Sequence, residues 1–192
     1  SQHPALIEGA KAWAEEYGVG CGASRLVTGN IEAFTKLETK IANFKGKESA
    51  LIMASGFQAN ASVLPALFNK DILGAEPLVF TDKLNHASMH LGCNAADIKQ
   101  IRYRHNDMVH LEELLEVHKN SEQPKFILTE SVFSMDGDVA PLTEIYILAK
   151  KYNCFTIIDE AHATGILGDH GQGLAQGADL VIGTFSKAFG SF

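Results

Sequence analysis

Three residues late in the sequence have the types and spacing to do chemistry. Asp159 and His162 stand in Ile157-Ile158-Asp159-Glu160-Ala161-His162-Ala163-Thr164-Gly165, and Lys187 stands in Gly183-Thr184-Phe185-Ser186-Lys187-Ala188-Phe189-Gly190. A D-E-A-H run behind apolar residues can hold Mg²⁺ for nucleotide hydrolysis. It can equally offer an Asp and a His to another charged cofactor. The first use needs a phosphate cradle upstream, G-x-x-x-x-G-K-[ST]. None is present: Gly46-Lys47 runs into Glu48 with no glycine five residues before Gly46, and Lys187 follows Ser186.

The second use has more to support it. A lysine just past an apolar strand, bracketed by Gly183 and Gly190, is expected in a tight pocket where its charged form is disfavoured. Such an amine is nucleophilic and can form a Schiff base with an aldehyde. Pyridoxal phosphate (PLP) asks a protein for that lysine, for a carboxylate on its pyridine nitrogen and for a phosphate site. Asp159 can supply the carboxylate, and an ionised Asp keeps the ring nitrogen protonated. His162 is three residues on and in reach of the ring's phenolic oxygen. Ser55-Gly56-Phe57-Gln58-Ala59-Asn60 reads as a helix start, whose free N–H groups suit a phosphate dianion. His86, in Asn85-His86-Ala87-Ser88, could stack on the ring. Glu130 and Ser134, in Glu130-Ser131-Val132-Phe133-Ser134-Met135-Asp136-Gly137-Asp138, could face the same cleft. Each residue alone is as well explained by a helix cap or a loop; their joint placement is what argues for a site.

The elements that must position these residues are legible from Leu78 onward. Leu78–Asp82, Lys125–Glu130, Phe155–Asp159 and 180–184 are short, almost wholly apolar runs ending in a polar residue, the pattern of strands buried on both faces of a parallel sheet. Amphipathic segments separate them. Leu111, Leu114, Leu115 and His118 follow Asp107, an expected N-cap; Leu142, Ile145, Leu148 and Ala149 follow Pro141, placed for a first helical turn. Upstream, Ile31, Phe34, Leu37, Ile41 and Phe44 mark one helix face behind Asn30. The alternation argues an α/β fold with a parallel sheet and right-handed crossovers. Ligands gather at the carboxyl ends of such strands, which makes Asp82, Glu130, Asp159 and Thr184 the residues to watch.

Composition narrows the class. Of 192 residues, 46% are hydrophobic and 20% charged, as in an ordinary soluble domain. The formal net charge of −7 counts against a general nucleic-acid or anionic-membrane surface. No apolar run approaches a membrane span. Cys21, Cys93 and Cys154 are far apart and form no C-x-x-C pair, so no metal site is expected. Reduced thiols and a cytoplasmic protein are the expectation.

The order N-H-A-S, T-E-S-V-F-S-M-D-G-D, D-E-A-H-A-T-G and G-T-F-S-K-A-F-G resembles the α-oxoamine synthase family of fold-type I PLP enzymes. The opening from Gly18 to Asn30, G-V-G-C-G-A-S-R-L-V-T-G-N, resembles it too, so the likeness covers nearly the whole chain. It implies a three-layer α/β/α domain with a mostly parallel central sheet. Residues 1–30 would be an N-terminal helix and Gly-rich segment and 31–192 the PLP-binding large domain. The family's C-terminal domain, with its carboxylate-binding arginine, is expected to be absent, and 173–179 reads as shorter than the family's usual link. The resemblance assigns Lys187 as Schiff-base lysine, Asp159 to the pyridinium nitrogen, His162 to the ring oxygen and His86 to stacking. It gives Gly56, Phe57 and Thr184 to the phosphate, and Glu130 and Ser134 to the cleft. It implies condensation of an amino acid with an acyl-CoA, CO₂ release, and a homodimer with its active site at the interface. A non-catalytic subunit is the competing class, and loss of the lysine would be its mark. Lys187 is present.

Overall fold

The computed structural model describes residues 2–191. They form two compact units, one running up to Ile52 and taking in the segment from Phe185, the other spanning Met53–Thr184.

In the first unit, α1 (Pro4–Tyr17) starts at a proline, whose missing N–H costs nothing at a helix N-terminus, and is capped by His3. None of its residues is buried. Helix α2 (Glu32–Lys45) ends at Gly46, which takes the left-handed conformation at φ 62°. Its N-cap is Ile31 rather than Asn30. The Asn30 side chain is occupied elsewhere, accepting from Arg25 Nε at 2.9 Å. Arg25 organises the Gly-rich segment. Its guanidinium forms a two-pronged pair with Glu38 (2.7 and 3.0 Å), donates to the Ile52 carbonyl (3.0 Å) and lies 4.3 Å from the Phe34 ring centre. Glu38 completes the clasp by accepting from Ile52 N at 2.8 Å. Arg25 beside it holds the Glu38 carboxyl below its ordinary pKa.

The second unit is built on a five-stranded sheet in the order β2-β1-β3-β4-β5, every pairing parallel. Its elements in chain order are α3 (Gly56–Leu67), α4 (Lys70–Leu73), β1 (Leu78–Asp82), α5 (Ala87–Ala95), β2 (Ile101–Tyr103) and α6 (Met108–Val117). There follow β3 (Lys125–Glu130), α7 (Leu142–Tyr152), β4 (Cys154–Asp159) and β5 (Leu180–Ile182). Asp107 caps α6 as expected, and α7 opens directly after Pro141.

Successive strand residues point to opposite faces, and both faces are covered. Phe80, Ile127 and Ile158 pack with Leu111, Leu115 and Ile145 of α6 and α7. Their neighbours Val79, Phe126, Leu128 and Ile157 pack with Leu64, Met89 and Cys93 of α3 and α5. This is why the strands are continuous apolar runs, and it makes the expected three-layer α/β/α sandwich. Strand β2 was not legible: it has three residues, and its middle one, Arg102, is exposed. Helices α3 and α5 approach unusually closely. A Cβ added at Gly92 would lie 2.5 Å from the Asn60 carbonyl oxygen and 2.9 Å from Leu64 Cδ1.

Candidate active site

Strand β4 runs buried to its end and delivers Asp159, 4% exposed, to the carboxyl edge of the sheet. Both carboxylate oxygens accept from N–H groups: Oδ1 from Ala161 N at 2.8 Å, Oδ2 from Asn60 Nδ2 at 2.7 Å. Both oxygens thus act as acceptors and keep lone pairs for a further donor. Glu130 is the register partner of Asp159 on β3, and it is buried. Two strand-end carboxylates therefore stand side by side.

Asn60 reaches Asp159 from α3, one turn beyond that helix's start. The Ser55 side chain caps Gln58 N at 3.0 Å, and the Ser55 carbonyl accepts from Ala59 N. Gly56 and Phe57 have no acceptor further back within the helix, so their N–H groups mark an electropositive end. Thr184 is drawn to the same place. A Cβ on Gly56 would lie 3.4 Å from Thr184 Cβ and 3.7 Å from its Oγ1. The three residues expected to hold a phosphate thus converge, although Thr184 is 128 positions from Gly56 in the sequence (184 − 56).

His86 is the N-cap of α5, the helix that follows β1. Its Nδ1 lies 2.6 Å from Ser88 Oγ and accepts from Ser88 N at 3.2 Å. Asn60 Nδ2 also donates to Ser88 Oγ, at 3.0 Å. His86 and Asp159 are consequently joined through two buried side chains. His162 is half-buried in the turn after Asp159. Ser134 is exposed at the tip of a loop closed by the Val132–Val139 bridge.

Two readings of the sequence change. Lys187 belongs to the first unit and is exposed, in a turn where Gly190 N bonds its carbonyl at 3.0 Å; the described residues do not give it the desolvated pocket expected. Asp82, a strand-end suspect, is fully buried and already committed: it accepts from Leu84 N and Asn106 N, both at 2.9 Å, and faces His105 Nδ1 at 3.0 Å. His105 Nε2 faces Asp138 at 2.6 Å. Burial disfavours the charged ring, but the bonds to Asp82 and Asp138 outweigh it and hold the His105 pKa above its ordinary value. Glu160, the second letter of D-E-A-H, to which the sequence assigned no role, is structural. Its Oε1 accepts from Leu174 N at 2.5 Å and Ala175 N at 2.8 Å, and a Cβ on Gly173 would collide with its carboxylate. The roles of Asn60 and Ser88 escaped the sequence reading. A polar residue one turn into a helix, on the side that packs inward, was the only local sign.

The chain matches the aminotransferase class I and II family over residues 1–192. It is 54% identical to an 8-amino-7-oxononanoate synthase of Gluconacetobacter diazotrophicus, across 100% of this chain and 50% of that protein. The chain spans about half the length of the curated relatives it matches. Among solved structures it superposes on a Sphingomonas wittichii serine palmitoyltransferase with a TM-score of 0.90 at 33% identity, covering 99% of this chain and 48% of the other. A serine palmitoyltransferase variant from S. paucimobilis, solved with a bound PLP–myriocin aldimine, gives 0.89 at 31% identity over the same shares, 99% and 48%. A sandwich that carries strand-end carboxylates and a helix start to one sheet edge, the motif order, and these likenesses agree: the chain belongs to the aminotransferase class I and II family, and its resemblance to the α-oxoamine synthases holds along its whole length.

Proposed function

We propose that this chain is the cofactor-holding part of an α-oxoamine synthase, which joins the α-carbon of a small amino acid to the acyl group of an acyl-CoA, releases CoA and CO₂ and leaves a 2-amino ketone. The observation that carries this reading is Asp159, buried with an N–H donor on each oxygen, in the same unit as the helix start where Gly56, Phe57 and Thr184 meet. An acceptor at one end and donors at the other fit PLP at both its ends, a protonated ring nitrogen and a phosphate dianion. When bound, PLP supplies an electron sink for a carbanion at the amino acid's α-carbon.

The chain's own residues do the rest. Asp159 keeps the ring nitrogen protonated. His162 hydrogen-bonds the ring oxygen, and His86 covers the ring face. Gly56, Phe57 and Thr184 take the phosphate. Glu130 and Ser134 line the cofactor and substrate cleft. Lys187 would hold the cofactor's aldehyde and, as a free amine, would take the amino acid's α-proton; this role rests on the G-T-F-S-K-A-F-G motif. Within the class, G-C-G-A-S-R-L-V-T-G-N, G-D-V-A-P-L and the name borne by the curated relatives favour 8-amino-7-oxononanoate synthase, with L-alanine and pimeloyl-CoA as substrates. A homodimer is part of the proposal. Val19, Leu26, Val27 and Leu51 are apolar and exposed on the first unit, surface that a second subunit would cover. Among the described residues no helix is long and apolar enough to cross a membrane; a cytoplasmic location is part of the proposal.

The test is an absorbance spectrum of the complete protein with added PLP, repeated on Lys187→Ala. An anchored-cofactor band that disappears in the variant is expected. Product formation is then measured with alanine, glycine and serine against acyl-CoAs of graded length. Turnover only with glycine or serine would move the protein to another α-oxoamine synthase. Absence of any band in the wild-type protein would overturn the reading altogether.

A further inference from the structure

The bonds between His86 and Asp159 have more consequence than satisfying buried polar atoms. We propose that Asn60 and Ser88 are positioning residues, which through one chain of hydrogen bonds fix the orientation of the Asp159 carboxylate and the tautomer of His86. The inference rests on the reading above for its meaning, but its geometry stands on the protein alone.

Two groups that can act in only one way fix the links, the Asp159 oxygen at one end and the Ser88 backbone N–H at the other. The Asn60 amide faces two oxygens, Asp159 Oδ2 at 2.7 Å and Ser88 Oγ at 3.0 Å. Rotated by half a turn, its Oδ1 would meet the carboxylate oxygen lone pair to lone pair, so the amide nitrogen must point this way. Ser88 Oγ therefore accepts from Asn60. It keeps its one proton, and a second lone pair, for His86 Nδ1, 2.6 Å away. The Ser88 backbone N–H points at the same nitrogen from 3.2 Å. A ring nitrogen that receives two donors is the unprotonated one, so the His86 proton sits on Nε2. The directions are thus set from both ends, by the acceptor oxygen of Asp159 at Asn60 and by the Ser88 backbone N–H at His86 Nδ1.

The mechanical side follows from the helices. Asn60 and Ser88 are both 1% exposed, so water cannot replace either partner. Asn60 is one turn past Gly56 on α3, and His86 and Ser88 open α5. The two helices are held in contact at Asn60 because Gly92 has no side chain. The phosphate-binding end of α3, the carboxylate for the ring nitrogen and the ring-covering histidine are consequently fixed to one another rather than placed independently.

Two measurements on the complete protein test this. The first is long-range ¹H–¹⁵N NMR of the cofactor-free wild-type protein with labelled histidine, the His86 signals being identified by their loss in His86→Asn. A proton on Nε2 with imine-type Nδ1 is expected. A proton on Nδ1 would overturn the proposal, with no variant's folding at issue. The second is the PLP dissociation constant, read from the absorbance of the bound cofactor, for wild type, Asn60→Ala and Asn60→Asp. Loss of a hydrogen bond to a charged group should weaken binding about tenfold to a hundredfold in Asn60→Ala. Asn60→Asp should be weaker still, because two carboxylates then face each other. A folded Asn60→Ala, judged by circular dichroism, that binds PLP within twofold of wild type would reduce Asn60 to packing. Failure of the wild type to bind PLP at all would sink the functional reading, while the NMR result would still decide the direction of the bonds.

Discussion

Replacing Gly92 by alanine sets two effects of known size against each other. Gly92 lies inside α5, and alanine is the better helix former by about 0.8–1.0 kcal/mol. On helix propensity alone the substitution stabilises. Its methyl group, however, would sit 2.5 Å from the Asn60 carbonyl oxygen, 2.9 Å from Leu64 Cδ1 and 3.0 Å from Leu64 Cβ. The carbonyl belongs to the backbone of α3 and cannot swing aside as a flexible side chain would. Relief requires α5 to retreat by about half an ångström, in a layer where Leu64, Met89 and Cys93 have no exposed area. Overpacking of this kind costs about 1–3 kcal/mol, and the forced separation also stretches the Asn60–Ser88 bond. Net destabilisation of up to about 2 kcal/mol is therefore expected, with weaker PLP binding alongside. Urea unfolding followed by circular dichroism reads the first, and absorbance titration the second. A more stable Gly92→Ala protein with unchanged PLP affinity would refute the close approach of the helices and the linkage built on it.

Other parts of the fold give further expectations. The raised pKa of His105 means that the Asp82–His105–Asp138 linkage contributes its full stability below the unfolded imidazole value, about 6.5, and loses it as pH rises through the folded value. The melting-temperature advantage of wild type over His105→Gln should then shrink as pH rises above about 6.5, and a gap that grows with pH would contradict the arrangement. Ile127→Ala, at a fully buried position of the central strand, should cost about 2–5 kcal/mol in urea unfolding. Arg25→Lys should loosen the first unit, because one ammonium cannot serve Glu38, Asn30 and the Ile52 carbonyl together. Hydrogen exchange at Ile52 N should quicken by about tenfold, the size of one charge-assisted bond, and unchanged exchange there would refute the clasp. With the Glu38 pKa lowered, the same clasp is intact above the unfolded glutamate value, about 4.3, and opens as pH falls through the folded one.

Much of the sandwich was legible because its strands are buried on both faces. Leu78–Asp82 and Lys125–Glu130 coincide with β1 and β3 to the residue, and β4 differs only in starting one residue earlier, at Cys154. Burial writes itself into an unbroken apolar run, whatever the rest of the fold does. Strand β2 left no such trace, since three residues with an exposed arginine among them make no run. The sheet edge that gathers candidate residues was legible for Asp159, Glu130 and His86, because the carboxyl end of a strand is a place a sequence can name. What a strand-end carboxylate binds is a different matter. Asp82 looked equivalent to Asp159, yet its partners His105 and Asn106 arrive after β2, the strand that could not be seen. Asn60 finds Asp159 across 99 positions of the chain. Only the packing of α3 against the sheet makes them neighbours, and no local pattern records it.

The wholly parallel sheet also sets how the second unit has to assemble. Parallel neighbours cannot be joined by a tight turn, so every pairing closes a loop that holds a helix or more. The closing register pair of β1 and β2, Phe80 with Ile101, spans less chain than that of β3 and β4, Lys125 with Cys154. Loop entropy rises only as the logarithm of length, so this advantage is worth a few tenths of a kcal/mol. Against it, β3 and β4 pair along their full length and enclose α7, whose Ile145 is fully buried, whereas β2 offers three residues. The β3–α7–β4 crossover is accordingly the expected nucleus for adding β1 and β5, and in a folding-rate measurement mutations that thin it should slow folding where those on β2 mainly hasten unfolding; equal effects on the folding rate would refute this order.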